Sequence, residues 1–241
     1  MGDVPKGELF KMTQAIPSAP SSTRMVVFDF DGTIARTANG RTTWEMIWEH
    51  LGYPREECAG YHARYRAGEF THTDWCKFTL EKFRDRKLTQ SVLTELAGML
   101  KVLDGFAELV EELGRRRIPL HIVSGSIDAI IRDVLGTHAA SFASIQANKL
   151  VFSADGVISD IIETPYDFEG KADYIRLLVS KRNCAPKEVL FVGNADNDHW
   201  VADAGVRTLC VNPISTDPED HKAWTANIRS MQDMKQILDY V

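Results

Sequence analysis

The chain has 241 residues, 44% hydrophobic and 26% charged, with a formal net charge of −6. That length suits one large domain or a core with a smaller insert, and the acidic balance without a long basic run argues against nucleic acid as a partner. No apolar stretch is long enough for a bilayer and the N-terminus lacks a signal-peptide core, so the expectation is a cytoplasmic protein with no membrane partner.

Residues 1–23 carry three prolines and several Ser and Thr. They read as a loosely held tail, with at most a helical turn near Leu9–Met12. Met25–Ala35, MVVFDFDGTIA, is different. Its apolar residues predict a buried strand of a parallel sheet, and the run breaks into Asp29, Asp31, Gly32 and Thr33. Ligands of open α/β sheets bind at the carboxyl ends of strands, and residues two apart on a strand share a side. Asp29 and Asp31 would then face one pocket if the strand persisted. Gly32 permits the sharp turn that follows.

From Thr37 to about Leu100 the pattern turns helical. Thr42–Leu51, Glu56–Arg66 and Thr73–Phe83 are predicted helices, Thr71 or Thr73 is a candidate cap, and Thr89 opens a fourth. No strand is expected here. The segment is rich in aromatics, among them Trp44, Trp48 and Trp75, which suit a small helical core or the wall of a pocket. Its basic residues Arg36, Arg41, Arg64, Arg66 and Lys77 read as solvated, with room for one to reach a site.

The alternating pattern resumes at Asp104. Ala107–Arg117 reads as a helix and Leu120–Val123 as a buried strand ending in Ser124-Gly125-Ser126. A helix over Ile127–Leu135 would present its N-terminus, favourable to an anion, beside that turn. Ala147–Phe152 and Val157–Ile162 read as a hairpin. Gly170-Lys171 opens a helix to Ser180. The strand Val189–Val192 ends in Gly193-Asn194-Ala195-Asp196-Asn197-Asp198. A helix over His199–Ala204, a strand over Val206–Val211 and a closing helix over Met231–Tyr240 complete the chain. Strands alternate with helices, and three of them end in polar loops, which is the pattern of a doubly wound, Rossmann-like parallel α/β sheet. The division expected is a tail at 1–23, a core of 24–36 and 101–241, and a small inserted α-helical cap at 37–100. The four cysteines, Cys58, Cys76, Cys184 and Cys210, show no metal-ligand or disulfide spacing. Cys184 and Cys210 read as buried free thiols.

Asp29-Phe30-Asp31-Gly32-Thr33, Val123-Ser124-Gly125, Gly170-Lys171 and Gly193–Asp198 occur in an order that resembles the haloacid dehalogenase superfamily, in its phosphoserine-phosphatase-like branch. The resemblance implies a Mg²⁺-dependent phosphatase. Asp29 would be the nucleophile that forms an aspartyl-phosphate, and Asp31 the acid and then the base. Ser124, Gly125 and Lys171 would hold the phosphoryl group, with Gly32 and Asn197 near it. Asp29, Asp31, Asn194 and Asp198 are the implied metal residues, with Asp198 anchoring either Lys171 or metal-bound water.

Two departures stand out. Asn194 replaces the aspartate usual in that branch and brings an oxygen without charge. Arg36–Arg41 holds no acid where phosphoserine phosphatases recognise an amino group, so another small phosphorylated metabolite is the expected partner, taken by a monomer or homodimer. The alternatives are a phosphotransferase or mutase of the same fold, a non-catalytic phospholigand-binding protein and, more remotely, a nucleotide-binding module.

Overall fold

The computed structural model describes residues 22–215 and 222–241. The expected tail at 1–23 and its turn near Leu9–Met12 thus fall almost wholly outside the described residues.

The centre is β1 (Met25–Phe28), in which all four residues are buried. β1 pairs in parallel with β4 (Leu120–Ile127) on one side and β7 (Val189–Gly193) on the other. Beyond β4 lie β5 (Phe142–Phe152) and, antiparallel to it, β6 (Ile158–Ile162). Beyond β7 lie β8 (Arg207–Val211) and β9 (Ala226–Ile228), both parallel. The result is a seven-stranded, mostly parallel sheet of order β6-β5-β4-β1-β7-β8-β9.

Both faces of this sheet are covered, which explains the unbroken apolar run of β1. Val26 and Phe28 point into a core shared with α5 (Phe106–Arg115) and α6 (Asp128–Leu135). Met25 and Val27 point the other way, into a core shared with α7 (Glu169–Arg182). This is the doubly wound α/β arrangement expected from the sequence.

Four helices follow β2 (Ala35–Arg36): α1 (Thr43–His50), α2 (Arg55–Arg66), α3 (His72–Asp85) and α4 (Gln90–Ala97). The chain returns through β3 (Lys101–Val102), which pairs antiparallel with β2. Thr42 and Thr71 cap α1 and α3, and in each case the acid three residues on bonds back to the cap N–H. The aromatics form a connected cluster in which Trp44 lies edge-on to Trp75 at 6.3 Å and stacked on Phe83 at 6.1 Å.

Several local expectations are corrected. β4 continues through Ser124-Gly125-Ser126 to Ile127, so the expected turn is the last part of the strand, and α6 follows it from Asp128. Asp196–Ala204 and Met234–Tyr240 are 3₁₀ segments rather than α-helices. In the first, Asp198 accepts from the N–H groups of Asn194 and Ala195, tightening the turn. All four cysteines are free, but Cys184 is only half-buried while Cys58, Cys76 and Cys210 are buried. No helix among the described residues is long and apolar enough to cross a membrane.

Candidate active site

The tips of β1, β4 and β7 meet the N-terminus of α7 at one end of the sheet. β1 stops at Phe28, but the Asp29 N–H still donates to the Val192 carbonyl at 2.9 Å, so Asp29 is held in line with the strand. The chain then turns. The N–H groups of Thr33 and Ile34 both donate to the Phe30 carbonyl, and Gly32 has φ +81°. A Cβ on Gly32 would lie 2.2 Å from the Asn194 amide, so this position combines a left-handed backbone with a close approach from β7.

Lys171, on the first turn of α7, is wholly buried. Its ammonium donates to Asp29 Oδ1 at 2.9 Å and to Asp198 Oδ1 at 2.6 Å. Asp29 is 4% and Asp198 1% exposed, so this is a buried three-membered charge cluster. Burial alone would pull the lysine down. The carboxylates of Asp198 and Asp29, with Asp167 further off, outweigh burial and hold it above its ordinary value, fully charged. Burial, with the Asp29 charge adding to it, pushes Asp198 up while Lys171 opposes it. The other Asp198 oxygen accepts from the N–H groups of Asn194 (3.0 Å) and Ala195 (3.3 Å). Asp198 therefore holds the lysine and the β7 loop together.

Asp31 lies in the turn after β1 and lines the same cavity as Asp29. Its Oδ2 accepts from the Thr43 hydroxyl at 3.0 Å and the Thr43 N–H at 3.4 Å. Its Oδ1 is buried without a hydrogen-bond partner. Burial, then the Asp29 charge, raises this carboxyl to about 7, against the lowering effect of the Thr43 hydrogen bonds. The Thr43 hydroxyl is spent on Asp31, so at 2.8 Å the Ser126 hydroxyl is the donor to it. The Ser124 hydroxyl accepts from the Ser126 N–H at 3.2 Å.

These groups open on a cavity of about 400 Å³. Asp29, Asp31, Ser124, Gly125 and Asn197 line it directly, whereas Lys171, Asn194, Asp198 and Gly32 stand behind its wall. The opposite wall comes from the helices α1–α3 and includes Trp44, Glu45, Cys58, His62, Tyr65, Arg66, His72 and Trp75. Of the basic residues singled out in that segment, Arg66 reaches the cavity, where it pairs with Asp196. The Trp44 indole N–H donates to the Gly125 carbonyl at 2.7 Å, and Tyr65 lies edge-on to Phe168 at 5.1 Å. Trp44 thus both packs among aromatics and faces the cavity.

Sequence reasoning missed Thr43, Ser126, Asn148 and Asp167. Asn148 donates to the Gly125 carbonyl at 2.7 Å and accepts from the Thr164 N–H at 2.9 Å, which fixes the β4 tip. Asp167 lines the cavity just before α7. Thr43 hides behind its neighbour Thr42, the helix cap. None of the four sits in a motif of its own, so only the fold brings them in.

Whether the site suits a hard divalent cation follows from its donors. The Asp29 carboxylate, the Asn194 side-chain oxygen and the Asp31 backbone carbonyl are all oxygen donors from the ends of β1 and β7, and Asn194 approaches the β1 turn closely at Gly32. The Thr33 hydroxyl lies 3.3 Å from Asn194 Oδ1 and orients the amide. An all-oxygen set beside one free carboxylate oxygen fits such an ion.

No curated protein matches the chain. Among solved structures, it is similar to a phosphoserine phosphatase captured as a phospho-aspartyl intermediate analogue, with 18% identity and TM-score 0.71, covering 92% of this chain and 100% of that one. A substrate-bound phosphoserine phosphatase complex gives 17% identity and TM-score 0.73, covering 92% and 99%. A haloacid dehalogenase family hydrolase from Salmonella enterica serovar Typhi gives 14% and 0.74, covering 91% and 71%. At these identities the likeness establishes the fold. The sequence signature of haloacid dehalogenase-like hydrolases spans residues 26–203, from the first residues of β1 to the 3₁₀ segment after β7. The chain belongs to the haloacid dehalogenase-like hydrolase family.

Proposed function

We propose that this protein is a Mg²⁺-dependent phosphatase that hydrolyses a small phosphomonoester through an aspartyl-phosphate on Asp29. The observation that carries this reading is the pairing of unlike carboxyls on one cavity wall. Asp29 accepts from a buried ammonium, whereas burial and the Asp29 charge raise Asp31, two residues on, to about 7. Two neighbouring acids held apart in this way divide naturally into nucleophile and proton donor.

In this reading an Asp29 oxygen attacks phosphorus and the bond to the leaving oxygen breaks. Asp31 gives its proton to that oxygen from Oδ1, the carboxyl oxygen that accepts no hydrogen bond within the protein. Thr43 keeps the other oxygen in place. Asp31 then takes a proton from water, which attacks the phosphoryl group and releases phosphate and Asp29. Lys171 offsets the charge that gathers on the phosphoryl oxygens, and Asp198 positions it. Ser124 and Gly125 line the same cavity, and the Ser124 hydroxyl and the Gly125 N–H would serve as donors to that group. The Asp29 carboxylate, the Asp31 carbonyl and Asn194 would hold Mg²⁺, which supplies charge neutralisation for the phosphate when bound.

The helices α1–α4 act in this reading as a cap. Thr43, Trp44, Tyr65 and Arg66 join them to the sheet around the cavity, so closure excludes water and fixes the general acid at once. A cavity of about 400 Å³ with walls of Trp44, Trp75, Tyr65 and Phe168 suits a small organic phosphate. The unpaired thiols support a reducing, cytoplasmic setting.

The test is phosphate release from a panel of small phosphomonoesters, with Mg²⁺ and with chelator. Release that needs Mg²⁺ supports the reading. No release from folded, Mg²⁺-loaded protein across a broad panel would favour a phospholigand-binding role, to which the uncharged Asn194 is better suited.

A further inference from the structure

Away from the carboxylates at the strand tips, a second group of ligand-type side chains joins the helical segment to the sheet. His72 and Cys76 are one turn apart on α3 and share a face. Glu163 directly follows β6, against which α3 packs. One His72 ring nitrogen, Cys76 Sγ and one Glu163 oxygen lie within 4.8 Å of one another, and no other trio of His, Cys, Asp or Glu among the described residues does so.

The contacts within the group are those of partly prepared ligands. Cys76 Sγ is 3.9 Å from His72 Nε2, and His72 Nδ1 is 3.3 Å from Glu163 Oε2. The Thr73 hydroxyl donates to Glu163 Oε1 at 2.6 Å and so orients the carboxylate. Oε2 is buried and accepts no hydrogen bond. Cys76 is 5% exposed.

We propose that His72, Cys76 and Glu163 form a second metal site, separate from that of Asp29, which takes a borderline-soft divalent cation such as Zn²⁺. A nitrogen, a sulfur and an oxygen ligand suit Zn²⁺ and not Mg²⁺, which favours oxygen alone. Three atoms no more than 4.8 Å apart surround a point at most about 2.8 Å from each. Side-chain shifts of roughly half an ångström or more then reach the usual bond lengths of about 2.0–2.3 Å. On binding, the Cys76 S–H proton leaves to solvent and an S–metal bond forms. Thiolate and carboxylate together cancel the charge of the ion, which suits a half-buried position. Water takes the fourth place. The ion would tie α3 to the end of β6. His72 also lines the cavity, so the same ion would fix part of the cavity wall.

The experiment uses the full chain, stripped with chelator and returned to excess Mg²⁺ so that the oxygen site is filled. Co²⁺ is added as a spectroscopic probe, then displaced with Zn²⁺. The expected result is one equivalent of Co²⁺ with a thiolate-to-cobalt charge-transfer band in the near ultraviolet, bleached by Zn²⁺. Cys76→Ser should lose the band. Glu163→Gln, at a partly exposed position that folding tolerates, should weaken Zn²⁺ binding at least tenfold. Zn²⁺ should raise the melting temperature of the wild type and not of Cys76→Ser. No charge-transfer band, an unchanged band in Cys76→Ser, or unchanged Zn²⁺ affinity in Glu163→Gln would overturn the site and leave a His72–Glu163 ion pair with a packed thiol. None of these readouts depends on phosphatase activity.

Discussion

Lys171→Met tests the charge cluster under the site. Methionine keeps most of the side-chain volume and removes the ammonium. Asp29 and Asp198, 4% and 1% exposed, then lose the cation that lies 2.9 and 2.6 Å from them. Breaking a buried ion pair by deleting one partner costs about 3–5 kcal/mol, because the remaining charge is left without compensation. Here two carboxylates are stranded and repel each other, so the upper part of that range is expected. For a chain of this length that corresponds to a melting point lower by roughly 6–20 °C. The assay is urea unfolding in the presence of chelator, for Lys171→Met, Asp198→Asn and the double variant. The double variant leaves one buried carboxylate instead of two and should be more stable than Lys171→Met alone. A loss below about 1 kcal/mol, the scale of an exposed pair, would refute the reasoning, as would a double variant less stable than Lys171→Met.

Three further outcomes follow from the same geometry. Asn194→Asp adds a charge beside Asp29 and should lower the Mg²⁺ concentration for half-maximal activity by roughly tenfold, about 1.4 kcal/mol; an unchanged requirement would remove Asn194 from the metal's ligands. Thr43→Val deletes the hydroxyl that holds Asp31 Oδ2 and strands the Ser126 donor. A hydrogen bond to a charged group is worth about 1.5–3 kcal/mol, so kcat should fall roughly tenfold or more, while a change confined to KM would contradict the positioning role. The third concerns pH. His121 is buried on β4 with Nδ1 2.6 Å from the Ser144 hydroxyl, and burial, then the Arg182 charge, lowers it from 6.5 to about 4. Between these values the unfolded chain takes a proton that the folded one refuses, so stability should fall by up to roughly 3 kcal/mol as pH drops from 6.5 to 4. His121→Asn should flatten that slope in urea titrations at several pH values, and an unchanged slope would contradict the assignment.

The frame of the molecule was legible because its signals are local. The apolar run Met25–Phe28 has to be buried on both faces, and the polar residues after β1, β4 and β7 mark the ends where a parallel sheet opens to ligands. Short pairings were not legible. β2, β3 and β9 are two or three residues long, and only partners distant in sequence make them strands. The extension of β4 through Ser124–Ile127 has the same cause: its register with Asn148 on β5 overrides a turn-like composition. At the candidate site, motif residues could be named from sequence, with roles implied by the resemblance, but their contacts could not. Nothing in Asp198 itself says that one oxygen holds Lys171 and the other the Asn194 and Ala195 N–H groups. Thr43 becomes visible only when α1 is folded over Asp31.

The most direct measurement is a single-turnover reaction with Mg²⁺ and the best substrate of the panel, quenched in acid and analysed by peptide mass spectrometry. The account predicts a peptide containing Asp29 that is heavier by one phosphoryl group, labile to hydroxylamine, and absent in Asp29→Asn together with phosphate release. Phosphate release at an undiminished rate in Asp29→Asn, or a phosphoryl group on another residue, would contradict it.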